Sequence, residues 1–189
     1  MPIKQIENQH DLSLKHQNWL VKNFSNVEAH TISLDKLFET FSLTLNKFDN
    51  EHGFANSRAR LRMTTLYQVA AANKGIVVGT GNKVEDFGVG FYTKYGDGGV
   101  DISPIADCNK TEVWELGKEL GILKEIIDAP PTDGLWDDGR TDEGQLGFSY
   151  NELEDAMTNP DSPHKAKYEK IRKQNLHKMD PIPVCKIPS

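Results

Sequence analysis

The short apolar run Gly75-Ile-Val-Val-Gly79 constrains the fold of this chain more than any other feature. It is too brief for a helix and is bounded by glycine on both sides, which is the pattern of a strand buried on both faces of a parallel sheet. A helical stretch precedes it over residues 57–73, with Met63, Leu66, Val69 and Ala70 on one predicted inward face. Thr80-Gly-Asn-Lys-Val-Glu-Asp86 follows it directly. Helix, buried strand and glycine-containing loop in that order predict an α/β architecture with a parallel sheet.

The flanking segments fit that reading. Leu12, His16, Leu20 and Asn23, with Trp19 beside them, predict a helix over residues 11–24, and His16 reads as a core or boundary residue rather than a ligand. Val27 to Ile32 is a short β-compatible run. Leu34, Leu37, Phe38, Phe41, Leu45 and Phe48 share one face of a further helix, which Asp49-Asn50-Glu51-His52-Gly53 should break. Asn109-Lys110-Thr111-Glu112 and Ser149-Tyr150-Asn151-Glu152 are capping boxes, each predicting a helix start. The first of these helices should stop at Gly121. Between the two, residues 129–143 are rich in Pro, Gly and Asp and predict a mobile surface loop. Pro181 to Pro188 is expected to be extended.

A length of 189 residues suits a single domain spanning 1–189, and 37% apolar residues can fill its core. No apolar run reaches the length of a membrane span, and Met1-Pro2-Ile3-Lys4 opens no secretory signal, so no membrane partner is expected. A net charge of −6 argues against a nucleic-acid partner held by one basic surface, yet leaves room for a small polyanion. Two cysteines form neither a disulfide framework nor a paired zinc motif, and a reducing, cytoplasmic setting follows.

Four segments could carry chemistry. Residues 80–86 lie past the carboxyl end of the expected strand, where open α/β sheets place ligands; Thr80 offers a hydroxyl and Glu85 could hold a hard cation. A plain turn with a solvated Glu85 is the alternative. Phe91-Tyr-Thr-Lys-Tyr-Gly-Asp-Gly-Gly-Val-Asp101 packs three glycines, two aspartates and one lysine into eleven residues. Such a stretch is costly to order, which suits a backbone wrapping a ligand, with Lys94 for an anion and Asp97 or Asp101 for hydroxyls or a metal. An ordinary glycine-rich surface loop is the other reading. Arg58 and Arg62 share a helical face, a mildly unfavourable pair unless an anion or carboxylate lies between them; a solvated basic face competes. Lys110 opposes the helix dipole unless a phosphate also sits there, though alone it reads as an exposed lysine.

Taken together, these segments resemble the NAD synthetase family of N-type ATP pyrophosphatases. The residues carrying the resemblance run in the family's order: Ala59-Arg-Leu-Arg-Met63, Gly79-Thr-Gly-Asn-Lys83 with Glu85, and Gly90-Phe-Tyr-Thr-Lys-Tyr-Gly-Asp-Gly-Gly99. Asp101-Ile-Ser-Pro-Ile105, Lys110-Thr111, Pro130-Pro-Thr-Asp133, Thr141-Asp-Glu143, Leu146-Gly-Phe-Ser-Tyr150 and Asn175-Leu-His-Lys178 follow. The resemblance implies a Rossmann-like, adenine-nucleotide-α-hydrolase-like parallel sheet with flanking helices. It implies ATP- and Mg2+-dependent adenylation of deamido-NAD, release of pyrophosphate, and displacement of AMP by ammonia to give NAD+. By position, Arg60, Lys94, Asp101, His177 and Lys178 would hold deamido-NAD. Thr80, Lys110 and Thr132 would contact ATP, and Glu85 would bind magnesium. No residue is assigned as acid or base. The resemblance also implies a homodimer, and a loop over residues 130–143 that orders across the site.

One departure shapes the expectation for activity. The family's Ser-Gly-Gly-x-Asp-Ser loop, which cradles pyrophosphate, has no counterpart, and the first strand, its helix and most of the second strand are expected to be missing. Three lost charge-assisted hydrogen bonds would cost on the order of 5–9 kcal/mol, so the chain is expected to be inactive or nearly so by itself. The turn from Glu85 to Gly90 is also one residue longer than in some relatives. A non-catalytic deamido-NAD-binding or assembly module is the alternative from another class. A GMP synthetase is a weaker one, against which Thr93-Lys-Tyr-Gly-Asp-Gly-Gly99 speaks.

Overall fold

The structure, a computed structural model, describes residues 1–187. Eight α-helices form among them: α1 (Glu7–Asn23), α2 (Asp35–Thr44), α3 (Glu51–Ala72), α4 (Lys110–Glu119), α5 (Lys124–Ile127), α6 (Asp142–Leu146), α7 (Tyr150–Thr158) and α8 (Lys165–Met179). A 3-10 turn spans Asn46–Phe48, and a π-helical segment spans Lys83–Val89. No described helix is long and apolar enough to cross a membrane.

The capping chemistry behaves as the sequence predicts. Asn109 and Ser149 each close a reciprocal box with Glu112 and Glu152, and α4 and α7 start one residue later. Gly121, just past α4, takes φ 70°, a left-handed position that glycine tolerates. Another cap was not foreseen: the Asn50 side chain accepts the Gly53 N–H at 2.7 Å, so α3 begins inside the expected helix break.

The parallel sheet is the expectation least developed in the structure. Among the described residues there is no continuous strand, only one parallel bridge from Val78 to Ile102. Gly79 donates to the Ile102 carbonyl at 2.8 Å and Asp101 donates to Val77 at 3.0 Å. The Val77 N–H is taken by the Asp101 carboxylate at 2.7 Å, so a side chain occupies what a strand ladder would use. Nor is the run buried on both faces: Val77 is 5% exposed, whereas Ile76 and Val78 are 60% and 54% exposed. The β-compatible run 27–32 is irregular.

Two expected helix faces are also less buried than their periodicity implies. Of the face from Leu34 to Phe48, only Leu34 and Phe38 are buried, and Phe48 is exposed. On α3, Ala59 and Met63 are buried while Leu66 and Val69 are exposed. His16 is half-buried and stacked on Trp19, the boundary position its pattern suggests. Residues 181–187 carry no regular structure, in keeping with the expected extended tail; Pro188 lies outside the described residues.

The principal core joins the π-helical segment to α7 and α8 through Val84, Val89, Phe148, Tyr150, Leu153, Ala156 and Tyr168. A smaller one gathers Ile3, Leu34 and Phe38 against α3 residues Phe54 and Leu61. The first core fixes Glu85, and with α8 it brings the C-terminal His177 and Lys178 to the residue 90–99 loop.

Candidate functional site

The site is assembled on segment ends and turns. Asn82, 2% exposed, accepts the N–H groups of Val84 and Glu85 at 3.0 Å each, so one buried amide sets the start of the π-helical segment. Gly81 stands beside it against the Asp86 carboxylate, which a Cβ at that position would displace. At the other end Gly90 takes φ 66° under Asn175, whose amide donates to the Val89 carbonyl. The π-helical segment is thereby held at both ends, and Glu85 projects from it.

Glu85 is 16% exposed at its side chain and meets Lys110 Nζ at 2.8 Å, an ammonium equally enclosed. The Tyr150 hydroxyl lies 2.5 Å from the same Glu85 Oε1 and 3.0 Å from Asp142 Oδ2. Lys110 also stands over the Tyr150 ring at 4.9 Å. Burial, then the Glu85 charge, raises the Tyr150 pKa. Burial likewise pushes Asp142 up to about 6, with the Tyr150 hydrogen bond opposing it and Glu85 adding to it. Asp86 is pushed up to about 7 by burial, then by Glu85 and Asp97.

A second group forms around the residue 90–99 loop. Lys94 Nζ donates to the His177 carbonyl at 2.6 Å, and Arg60 Nε donates to the Lys94 carbonyl at 3.2 Å. Lys178 Nζ donates to Gly90 and Tyr92 carbonyls at 2.8 Å each, while the Tyr92 hydroxyl donates back to the Lys178 carbonyl. Asp97 accepts the Thr93 N–H, and burial raises its pKa despite that bond; burial lowers that of Lys178. Tyr95 sits at φ 65°, a strained value for an aromatic residue, which is the cost of this tight turn.

The structure therefore brings Arg60, Lys94, His177 and Lys178 together, and separately joins Glu85 to Lys110. Asp101 stands apart, accepting from Val77 N–H and the Tyr67 hydroxyl. Thr132 accepts a hydrogen bond from Gln9 at 3.1 Å. Thr80, Thr132 and Lys178 line one cavity of about 930 Å³, together with Arg62, Tyr92 and Asp97. The residue 129–143 loop lies against α3, where Arg58 donates to the Leu135 carbonyl and pairs with Asp137, both at 2.9 Å. Arg58 thus finds a carboxylate, but among the described residues none bridges the two arginines: Arg62 donates to the Met1 carbonyl and to Gln5, both at 3.1 Å. Tyr150, Asn82 and Asp142 were missed as individual functional candidates. Each lies in a segment that carries the family resemblance, and Tyr150 also in a capping box, but nothing in the sequence marks any of the three individually.

Oxygen donors suit a hard cation, and Glu85 is such a donor, linked through the Tyr150 hydroxyl to the buried Asp142. Among the described residues no group of three or more His, Cys, Asp and Glu side chains could hold a metal, so further oxygens would have to come from a bound phosphate or water.

Solved structures define the class first. The structure matches that of an NMN synthetase from Francisella tularensis with a TM-score of 0.86 and 31% identity, covering 97% of this chain and 75% of that one. An NH3-dependent NAD synthetase from Campylobacter jejuni shares the fold at a TM-score of 0.71 and 24% identity, covering 97% and 76%. The sequence pattern of the NAD synthase family matches residues 1–186, and the chain belongs to that family. An NH(3)-dependent NAD(+) synthetase from Carboxydothermus hydrogenoformans is 42% identical over 139 residues, 71% of this chain and 56% of the relative. One from Syntrophomonas wolfei is 37% identical over 177 residues, 89% of this chain and 70% of the relative. The chain thus spans little more than half the length of several curated relatives it matches.

Proposed function

We propose that this chain carries the deamido-NAD and metal-binding part of an ammonia-dependent NAD+ synthetase, a carbon–nitrogen ligase of NAD biosynthesis. Arg60, Lys94, Asp101, His177 and Lys178 hold deamido-NAD; Thr80, Lys110 and Thr132 contact ATP; Glu85 holds Mg2+. The sheet of such enzymes would include residues 75–79 and 100–103, and the assembly would be a homodimer. The observation that carries this reading is the hydrogen-bonded chain Arg60–Lys94–His177, with Lys178 beside it, because it unites family positions from α3, a central loop and α8.

The chemistry suits these groups. Adenylation brings two nucleotides' negative charge together, and fixed lysines and an arginine lower the cost of that approach. Bound Mg2+ would polarise the phosphoryl oxygens and offset their charge. Ammonia attacks as the neutral amine, so the site needs charge neutralisation and positioning more than a base.

A second reading is favoured by the 0.86 TM-score to the NMN synthetase: the nicotinate nucleotide accepted could be the mononucleotide, deamido-NMN. Calorimetric titration with deamido-NAD, deamido-NMN and Mg-ATP separates the readings. Preferred binding of deamido-NAD, weakened about tenfold or more by Lys94→Ala, is the expected result. Preference for the mononucleotide selects the second reading, and no binding of either nucleotide to a folded chain overturns both.

A further inference from the structure

We propose that Asp142 is a second protein carboxylate of the Mg2+ site, joined to Glu85 through the Tyr150 hydroxyl. This rests on the reading of Glu85 as a metal position, and goes beyond it by assigning a partner on a different segment. Asp142 is 5% exposed, and its Oδ1 is buried with no hydrogen-bond partner. A buried carboxylate oxygen left unpaired calls for an explanation, and an oxygen-seeking cation supplies one.

The proton count points the same way. Two carboxylates, from Glu85 and Asp142, converge on one phenol oxygen that has a single proton to give. One ammonium, Lys110, faces the pair and reaches only Glu85. With both carboxylates ionised the cluster is one positive charge short, which a divalent cation would more than supply. Tyr150 is a positioning residue, since its hydroxyl fixes how far apart the two carboxylates stand.

The position of Asp142 makes the inference testable without turnover. It opens α6 at the end of the residue 129–143 loop, and its own N–H donates to the Pro131 carbonyl at 3.0 Å. A cation shared by Glu85 and Asp142 would therefore pin the loop end to the π-helical segment.

The test is binding of Mn2+ to the purified chain, followed by loss of the free-ion paramagnetic resonance signal with and without ATP. Glu85→Gln and Asp142→Asn are each expected to weaken binding about tenfold or more, and Asp86→Asn by no more than about threefold. Weakening by Glu85→Gln but not by Asp142→Asn would overturn this inference and leave the Glu85 reading standing. If neither substitution matters, both fail; absence of Mn2+ binding to the folded wild-type chain overturns the inference as well. A second measurement needs no Asp142 variant: hydrogen exchange of residues 141–144 in the wild-type chain should slow on adding Mg2+. No slowing at saturating metal would also refute the shared site.

Discussion

Replacing Arg58 by Met should free the residue 129–143 loop while leaving the rest of the fold nearly as stable. The guanidinium donates to the Leu135 carbonyl at 2.9 Å and pairs with Asp137 at 2.9 Å. A hydrogen bond from a charged donor is worth about 1.5–3 kcal/mol. The ion pair adds about 0–1 kcal/mol, because the Asp137 side chain is 68% exposed and well screened. The loop anchor is therefore worth about 1.5–4 kcal/mol, on the order of a 10- to 1,000-fold change in local opening. Globally the change should be small, since Met keeps the apolar stem packed near Phe38, over whose ring the Arg58 guanidinium now lies at 4.8 Å. It also removes a buried Nε that has no partner. Hydrogen exchange read by mass spectrometry over residues 130–141 should accelerate by that factor, while the urea midpoint shifts little. Unchanged exchange over those residues, or a global loss above about 3 kcal/mol with no loop-specific effect, would refute the reasoning.

Two further outcomes follow from the core and the central loop. Leu153, fully buried where α7 meets the π-helical segment, should cost about 2–5 kcal/mol in urea unfolding when cut to Ala; a loss below about 1 kcal/mol would mean that this cluster is not the main core. Asp97 has a folded pKa raised by burial above its ordinary 3.8, so its contribution is most favourable at acid pH and is lost as pH rises through the raised value. Asp97→Asn should accordingly melt higher relative to wild type at about pH 8 than at about pH 3.5, below the ordinary carboxylate value, and an equal difference at both pH values would rule that out.

What the sequence made legible were features decided within a few residues. The capping boxes at Asn109 and Ser149 and the stop at Gly121 depend on local hydrogen bonds, and they appear where expected. The segments that the family resemblance drew together also meet: Arg60, Lys94 and His177 are linked by hydrogen bonds, and Lys178 holds the same loop through the Gly90 and Tyr92 carbonyls. Periodicity was less dependable. It placed Leu66, Val69, Ile76 and Val78 inward, but an apolar face is buried only where something packs on it, and these four remain exposed. α8 escaped notice because its apolar residues are few; Tyr168 and Ile171 enter the principal core, while Arg172 and Lys178 act through backbone carbonyls. The Glu85–Tyr150 contact spans 65 positions and the Tyr150–Asp142 contact 8, and neither has a signature in the local sequence pattern.

The residue 129–143 loop links these observations into one account of how the site would be put together. Near its middle it is held by α3 through Arg58, and at its end Asp142 reaches the Glu85 cluster through Tyr150. Just ahead of the Arg58 hold, Asp133 accepts from the Leu135 N–H, Trp136 and Gln145, so the loop is braced internally as well. Thr132 faces the same cavity as Thr80 and Lys178. Any ligand filling that cavity would therefore touch a segment whose two ends answer to different parts of the fold. Releasing the Arg58 hold should loosen the loop without altering Glu85, whereas removing Asp142 should weaken the cation site without releasing the α3 contact. The two perturbations are separable because their contacts share no side chain, and separated sites of that kind add independently.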